Sequence, residues 1–213
     1  MAIGDPGLWC ETRDADWAPG PALFLDRDGV IVADPGYLGR AEDVRLLDGA
    51  AAAIARCNTL GIAVVVVTNQ SGIARGYYDW DGFRAVQSAL VATLAARGAG
   101  LDAVLACAYH ADGKEPLRIA AHPWRKPKPG MILTAAERMN LDLSRSWIVG
   151  DKAEDLAAGA AAGLAGGTLL ANADGAPWQL SGLGGAGFAV TTAASLADAV
   201  AVLIETGRLA SRP

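Results

Sequence analysis

Two aspartates, Asp26 and Asp28, stand two residues apart where the apolar run Ala22-Leu23-Phe24-Leu25 ends, and Gly29 follows them. Carboxylates this close can divide labour, one as nucleophile or metal ligand, the other as general acid and base. Gly29 lets the backbone approach a ligand closely. A capped turn with solvated acids would have the same local wording. A calcium loop is excluded, because Val30-Ile31-Val32 stands where further acidic ligands would be needed. A second stretch, Thr68-Asn69-Gln70-Ser71-Gly72, follows the β-branched run Ile62–Val67. Its hydroxyl, amides and loop N–H groups suit a phosphate oxygen, with plain helix capping as the alternative. A third is Arg125-Lys126-Pro127-Lys128-Pro129-Gly130. A lysine beside carboxylates and a phosphate neutralises charge on a transferring group, and an arginine fork suits a second anion. A solvated basic loop is the bland reading. Asp151, after Trp147-Ile148-Val149-Gly150, is placed like Asp26 at a strand tip.

Strands and helices alternate around these stretches. Strands are expected near 22–25, 62–67, 101–109, 147–149, 167–170 and 188–190. Asp48 is expected to N-cap a helix over 49–60. Asp79 or Asp81 caps a long helix to about Arg97, with Phe83, Val86, Leu90, Val91 and Leu94 on its apolar stripe. Further helices are expected over 129–139, 153–163 and 195–207. The alternation predicts a doubly wound, Rossmann-like α/β parallel sheet with helices on both faces. Ligands of such sheets sit outside the carboxyl ends of the strands, where Asp26 and Asp151 lie. Residues 1–20 read as an N-terminal extension without clear periodicity, with Trp9 and Trp17 as packing anchors. Residues 21–213 form one domain with a loop insert at about 107–124. No role is readable for the Gly-rich residues 171–187.

The chain has 213 residues, enough for one domain with a substantial core. A formal net charge of -5 argues against nucleic-acid binding. Three cysteines, few and odd in number, argue against a secreted disulfide framework and for a reducing cytoplasm. Charged residues interrupt the N-terminus, so no signal peptide is expected. The uncharged stretches 156–173 and 175–197 are too rich in Gly, Ala, Ser and Thr to be membrane spans.

Four motifs, Phe24–Val30, Thr68–Ile73, Arg125–Met131 and Val149–Asp155, together resemble those of the haloacid dehalogenase superfamily of phosphatases, over roughly residues 20–172. In detail they resemble the branch of the heptose 1,7-bisphosphate 7-phosphatases and the related histidinol-phosphate phosphatases. The resemblance implies an Mg²⁺-dependent phosphomonoesterase without a large cap domain. Asp26 would be the nucleophile, Asp28 the acid and base, Thr68 a phosphate anchor and Lys126 the charge-neutralising lysine. Asp26, Asp151 and the Asp28 backbone carbonyl would hold magnesium. Asp34, Gly36 and Tyr37 of the Asp-x-Gly-Tyr segment would contact substrate, as would Asn69, Gln70, Ser71 and Lys152. Arg125 would grip a distal phosphate. Asp155 would orient Lys152 or Asp151. The expected substrate is a small phosphorylated sugar, foremost the heptose bisphosphate. Histidinol phosphate, another sugar or polyol phosphate, and a silent binding domain are the alternatives. The branch also carries a structural zinc in the insert. Here Tyr109, His122 and Trp124 stand at three of its ligand positions, so Cys107, His110 and His122 give at most three ligands and no zinc is expected. No membrane contact is expected, and a monomer is.

Overall fold

The computed structural model describes residues 4–13, 17–170 and 187–210. Seven strands form one sheet: β1 (Leu8–Thr12), β2 (Ala22–Leu25), β3 (Ala63–Asn69), β4 (Ala103–Cys107), β5 (Trp147–Gly150), β6 (Gly166–Leu170) and β7 (Ala189–Ala193). Their order is β1-β4-β3-β2-β5-β6-β7, parallel except for the antiparallel edge strand β1. The helices are α1 (Ala50–Thr59), α2 (Ser71–Arg75), α3 (Trp80–Ala95), α4 (Gly130–Met139), α5 (Ala153–Ala162) and α6 (Leu196–Glu205).

Side chains on the central strands alternate between two cores, as the pleat requires. Leu23, Leu25, Val64 and Val66 pack with residues of α1, α3 and α6. Ala22, Phe24, Val65 and Val67 pack with residues of α4 and α5 on the other face. Burial on both faces accounts for the unbroken apolar reading of these strands. From β2 the chain winds outward to β4, then returns to β5 on β2's other side. That reversal opens a crevice beyond β2 and β5, where Asp26 and Asp151 stand. No helix among the described residues is long and apolar enough to cross a membrane.

The local expectations differ from the structure at three places. Residues 8–12, read without a strand in an N-terminal extension packing against or crossing the domain, add β1 to the sheet by pairing Leu8–Thr12 with Ala103–Cys107. Trp9 is buried against Trp80 and Phe83, with ring centroids 5.8 and 5.5 Å away. Asp48 does not cap α1; Gly49 does, at φ 75° and without a side-chain bond. On α3, where Asp79 accepts from Gly82 N at 2.8 Å, Val91 faces solvent at 45 % exposure. Residues 108–129 hold no helix or strand, in keeping with a loop insert. Residues 171–186 of the Gly-rich stretch lie outside the described residues.

Trp9→Ala removes the largest anchor of β1 and is expected to lower unfolding free energy by about 3–5 kcal/mol in denaturant titrations. A loss below about 1 kcal/mol would mean that β1 is not integral to the core.

Candidate active site

Asp26 is the first residue beyond β2, and its N–H extends the ladder to Val149 O at 3.1 Å. The next turn closes tightly, with Ile31 N and Val32 N both donating to Arg27 O and Gly29 N donating to Val32 O. Gly29 has φ 80°, and a Cβ there would sit 2.5 Å from Asp151 Oδ2. Only glycine fits this close approach of two strand tips.

Lys126 is fully buried behind Asp26. Its Nζ donates to Val67 O at 2.8 Å and forms ion pairs with Asp26 Oδ1 at 3.0 Å and Asp155 Oδ1 at 2.6 Å. Three acceptors match the three protons of an ammonium. Burial alone would lower the lysine's pKa, but Asp155 and Asp26 outweigh it and leave the pKa raised. Asn69 staples the lysine's main chain, accepting from Lys126 N and donating to Lys126 O, both at 3.1 Å. Asp155, expected to orient Lys152 or Asp151, has Lys126 as its ion-pair partner. Its other oxygen accepts from Lys152 N at 3.0 Å.

Asp28 is held by a residue the sequence reading left unassigned. Arg27, with no exposed surface, donates from Nε and Nη2 to the Asp28 carboxylate at 2.8 to 3.0 Å. Its guanidinium lies 5.3 Å over the Phe83 ring. A charged residue inside a buried strand end was the available signal. Gln70, expected on the substrate, is buried and ties the framework together. It donates to Asp28 Oδ2 at 3.0 Å and Thr68 Oγ1 at 2.8 Å, and accepts from Arg27 Nη2 and Tyr78 OH. Because Thr68 Oγ1 accepts from Gln70, its own proton is free to be donated.

Asp26, Asp28 and Thr68 line a cavity of about 420 Å³. Asp34, Gly36, Tyr37, Asn69, Gln70, Ser71, Arg125 and Lys152 also line it, together with Tyr78 and Glu154, which the sequence did not single out. Arg125 donates to Tyr109 O at 3.2 Å. Tyr37 OH accepts from Arg75 at 3.0 Å, and Asp34 from Gly36 N at 2.8 Å.

Among the described residues, Asp26, Asp151 and Asp155 have carboxylate oxygens within 4.8 Å of one another. Both Asp155 oxygens are engaged, Oδ1 by Lys126 and Oδ2 by Lys152 N, whereas the contacts of Asp26 fall on Oδ1 alone, leaving Asp26 and Asp151 as the pair able to share an ion. Asp151 Oδ1 is buried without a hydrogen-bond partner, and such an orphaned hard oxygen fits a magnesium ligand. Burial and then Asp26 push the Asp151 carboxyl up to about 6. The insert is tied to the N-terminal segment. Tyr109 OH donates to Asp5 Oδ1 at 2.7 Å, the His122 ring stacks on Tyr109 at 4.4 Å, and burial raises the Cys107 thiol to about 11.

Chain-wide comparisons agree with this geometry. The family model for haloacid dehalogenase-like hydrolases matches residues 2–163. The chain is similar to D-glycero-beta-D-manno-heptose-1,7-bisphosphate 7-phosphatase of Mesorhizobium japonicum, 50% identical over 170 residues, covering 79% of this chain and 78% of that one. The Yersinia pestis protein of the same name is 37% identical over 180 residues, 84% of this chain and 95% of that one. Among solved structures, a HAD-like phosphatase from Mesorhizobium loti superposes with a TM-score of 0.84 at 44% identity, covering 99% of this chain and 98% of that one. D,D-heptose 1,7-bisphosphate phosphatase from B. bronchiseptica, complexed with magnesium and phosphate, superposes at 0.73 with 32% identity, covering 87% and 99%.

A folded-state pKa near 6 for Asp151, against 3.8 unfolded, means that folding takes up a proton between those pH values. This carboxyl therefore destabilises the metal-free protein progressively as pH rises from about 4 to about 6, with no further change above. A cation at Asp151 competes with that proton. The rise in melting temperature on adding Mg²⁺ is expected to grow from pH 5 to pH 7 and then level off. Equal rises at pH 5 and pH 7.5 would contradict the Asp151 site.

Proposed function

The chain belongs to the haloacid dehalogenase-like hydrolases, and on that basis we propose that it removes the 7-phosphate of D-glycero-D-manno-heptose 1,7-bisphosphate. The observation that carries the chemistry is the Asp26 carboxylate held against a buried ammonium in the lining of a cavity of about 420 Å³. The names of the similar chains support the substrate.

Both polar contacts of Asp26 fall on Oδ1, from Arg27 N at 2.8 Å and Lys126 Nζ at 3.0 Å. Oδ2 is thus the oxygen available to phosphorus. Asp26 Oδ2 attacks, the bond from phosphorus to the sugar oxygen breaks, and Asp28 gives that oxygen its proton. The result is an aspartyl-phosphate and the free sugar hydroxyl. Asp28 then takes a proton from water, the oxygen attacks phosphorus, and the bond to Asp26 breaks to release phosphate. Thr68 donates its hydroxyl proton to a phosphoryl oxygen. Lys126 spends its three protons on Val67 O, Asp26 and Asp155, so it acts by fixing the nucleophile and supplying positive charge behind it rather than by grasping substrate. Asp26, Asp151 and the Asp28 carbonyl would hold magnesium, which would neutralise charge on the transferring group. Arg125 and the Asp34–Tyr37 loop receive the rest of the substrate from the cavity wall. Three cysteines, few and odd in number, support a reducing cytoplasm as the site of action.

Asp26→Asn is expected to lower kcat by roughly four orders of magnitude while leaving the circular dichroism spectrum unchanged. In a panel with Mg²⁺ holding both anomers of heptose 1,7-bisphosphate, fructose 1,6-bisphosphate and histidinol phosphate, a heptose bisphosphate is expected to give the highest kcat/KM. Full turnover by the variant would remove Asp26 from its role, and a profile led by histidinol phosphate would overturn the substrate.

A further inference from the structure

Beside the cavity, Arg75 at the end of α2 and His110 in the insert bring hydrogen-bond donors together, and the carboxylate that reaches both, Asp112, lies 3.2 Å from Arg75 Nη2 and 3.7 Å from His110 Nδ1. Asp112 N donates to His110 Nδ1 at 3.0 Å. A main-chain N–H can only donate, so Nδ1 carries the lone pair and the neutral ring holds its proton on Nε2. Burial, then Arg125 and Arg75, lower the pKa of this ring, outweighing Asp112 and Glu154 and keeping it neutral. Nε2 lies 3.3 Å from Arg75 Nη2. Two N–H groups therefore point at one another, a pairing that calls for an oxygen with lone pairs.

The other donors of Arg75 point to the same need. Nη1 donates to Tyr37 OH at 3.0 Å, and Tyr37 lines the cavity. Nε is buried without a hydrogen-bond partner. The carboxylate that Nη2 reaches, Asp112 at 3.2 Å, is 74% exposed. An exposed pair of this kind is weak and easily exchanged. Arg125, a cavity residue, lies within electrostatic reach of the same imidazole.

We propose that Arg75 and the Nε2–H of His110 form a second anion seat at the rim of the catalytic cavity, taken by the other phosphate of a bisphosphorylated sugar. This rests on the phosphatase reading above and adds two specificity-determining residues to it. Asp112 is the internal counter-ion that the incoming phosphate displaces from Arg75.

The test is kcat/KM for the preferred heptose bisphosphate divided by kcat/KM for p-nitrophenyl phosphate, which has no second phosphate. Arg75→Ala and His110→Ala are each expected to lower this ratio about tenfold to hundredfold, the range for a hydrogen bond to a charged group. His110→Gln keeps an N–H donor and is expected to recover most of the loss. Asp112→Asn frees Arg75 and is expected to lower KM for the bisphosphate about twofold to fivefold. A ratio that stays within twofold of wild type in both alanine variants overturns the seat, provided the wild type prefers the bisphosphate. So does a rise in bisphosphate KM in Asp112→Asn, which would make Arg75 a staple of the insert. A wild type with no preference overturns the substrate reading itself, and the seat with it.

Discussion

The contact on which the rest of the site depends is the buried ammonium of Lys126 between the carboxylates of Asp26 and Asp155. A charge this deep is tolerated only when every proton finds an acceptor. Each acceptor comes from a different element: Val67 O from β3, Asp26 from the tip of β2, Asp155 from the first turn of α5. The two faces of Asn69 on the lysine's main chain hold it there. Three segments far apart in sequence are thus locked to one nitrogen, and the nucleophile's position follows from that lock rather than from its own loop.

A second buried cation repeats the arrangement one residue on. Arg27 fastens Asp28, while Gln70 ties Asp28, Thr68 and Tyr78 into one network. Asp26, Asp28, Asp151 and Asp155 crowd around Arg27, Lys126 and Lys152, and burial followed by the Asp26 charge raises the pKa of Asp151. Rigid partners of this kind let a site hold charge ready before substrate arrives.

The strand ends that carry Asp26, Thr68 and Asp151 were legible because a strand buried on both faces reads as an unbroken apolar run ending in polar residues. β1 was not, since Leu8, Trp9 and Cys10 show no alternation and the burial of Trp9 depends on Trp80 and Phe83, about seventy residues away in the chain. The cap of α1 went to Gly49 at a positive φ in place of Asp48, a choice of backbone path that composition does not reveal. At the site, residue types were readable and their partners were not. Asn69 and Gln70 have the chemistry to meet a phosphate, yet their hydrogen bonds bind the protein's own framework. Asp155 does hold its sequence neighbour Lys152 through the main-chain N–H, but Lys126 arrives from another element as its ion-pair partner. In the insert, the Tyr109–His122 stack can be seen only once both ends of the loop are in place.

The central claim is that Asp26, held by Lys126, becomes phosphorylated during turnover. Enzyme mixed with the heptose bisphosphate and Mg²⁺ can be quenched in acid within one turnover, reduced with borohydride and digested for mass spectrometry. The account predicts homoserine in place of aspartate at position 26, absent when substrate is omitted. Reduction at another carboxylate, or none despite a burst of released sugar, would contradict it.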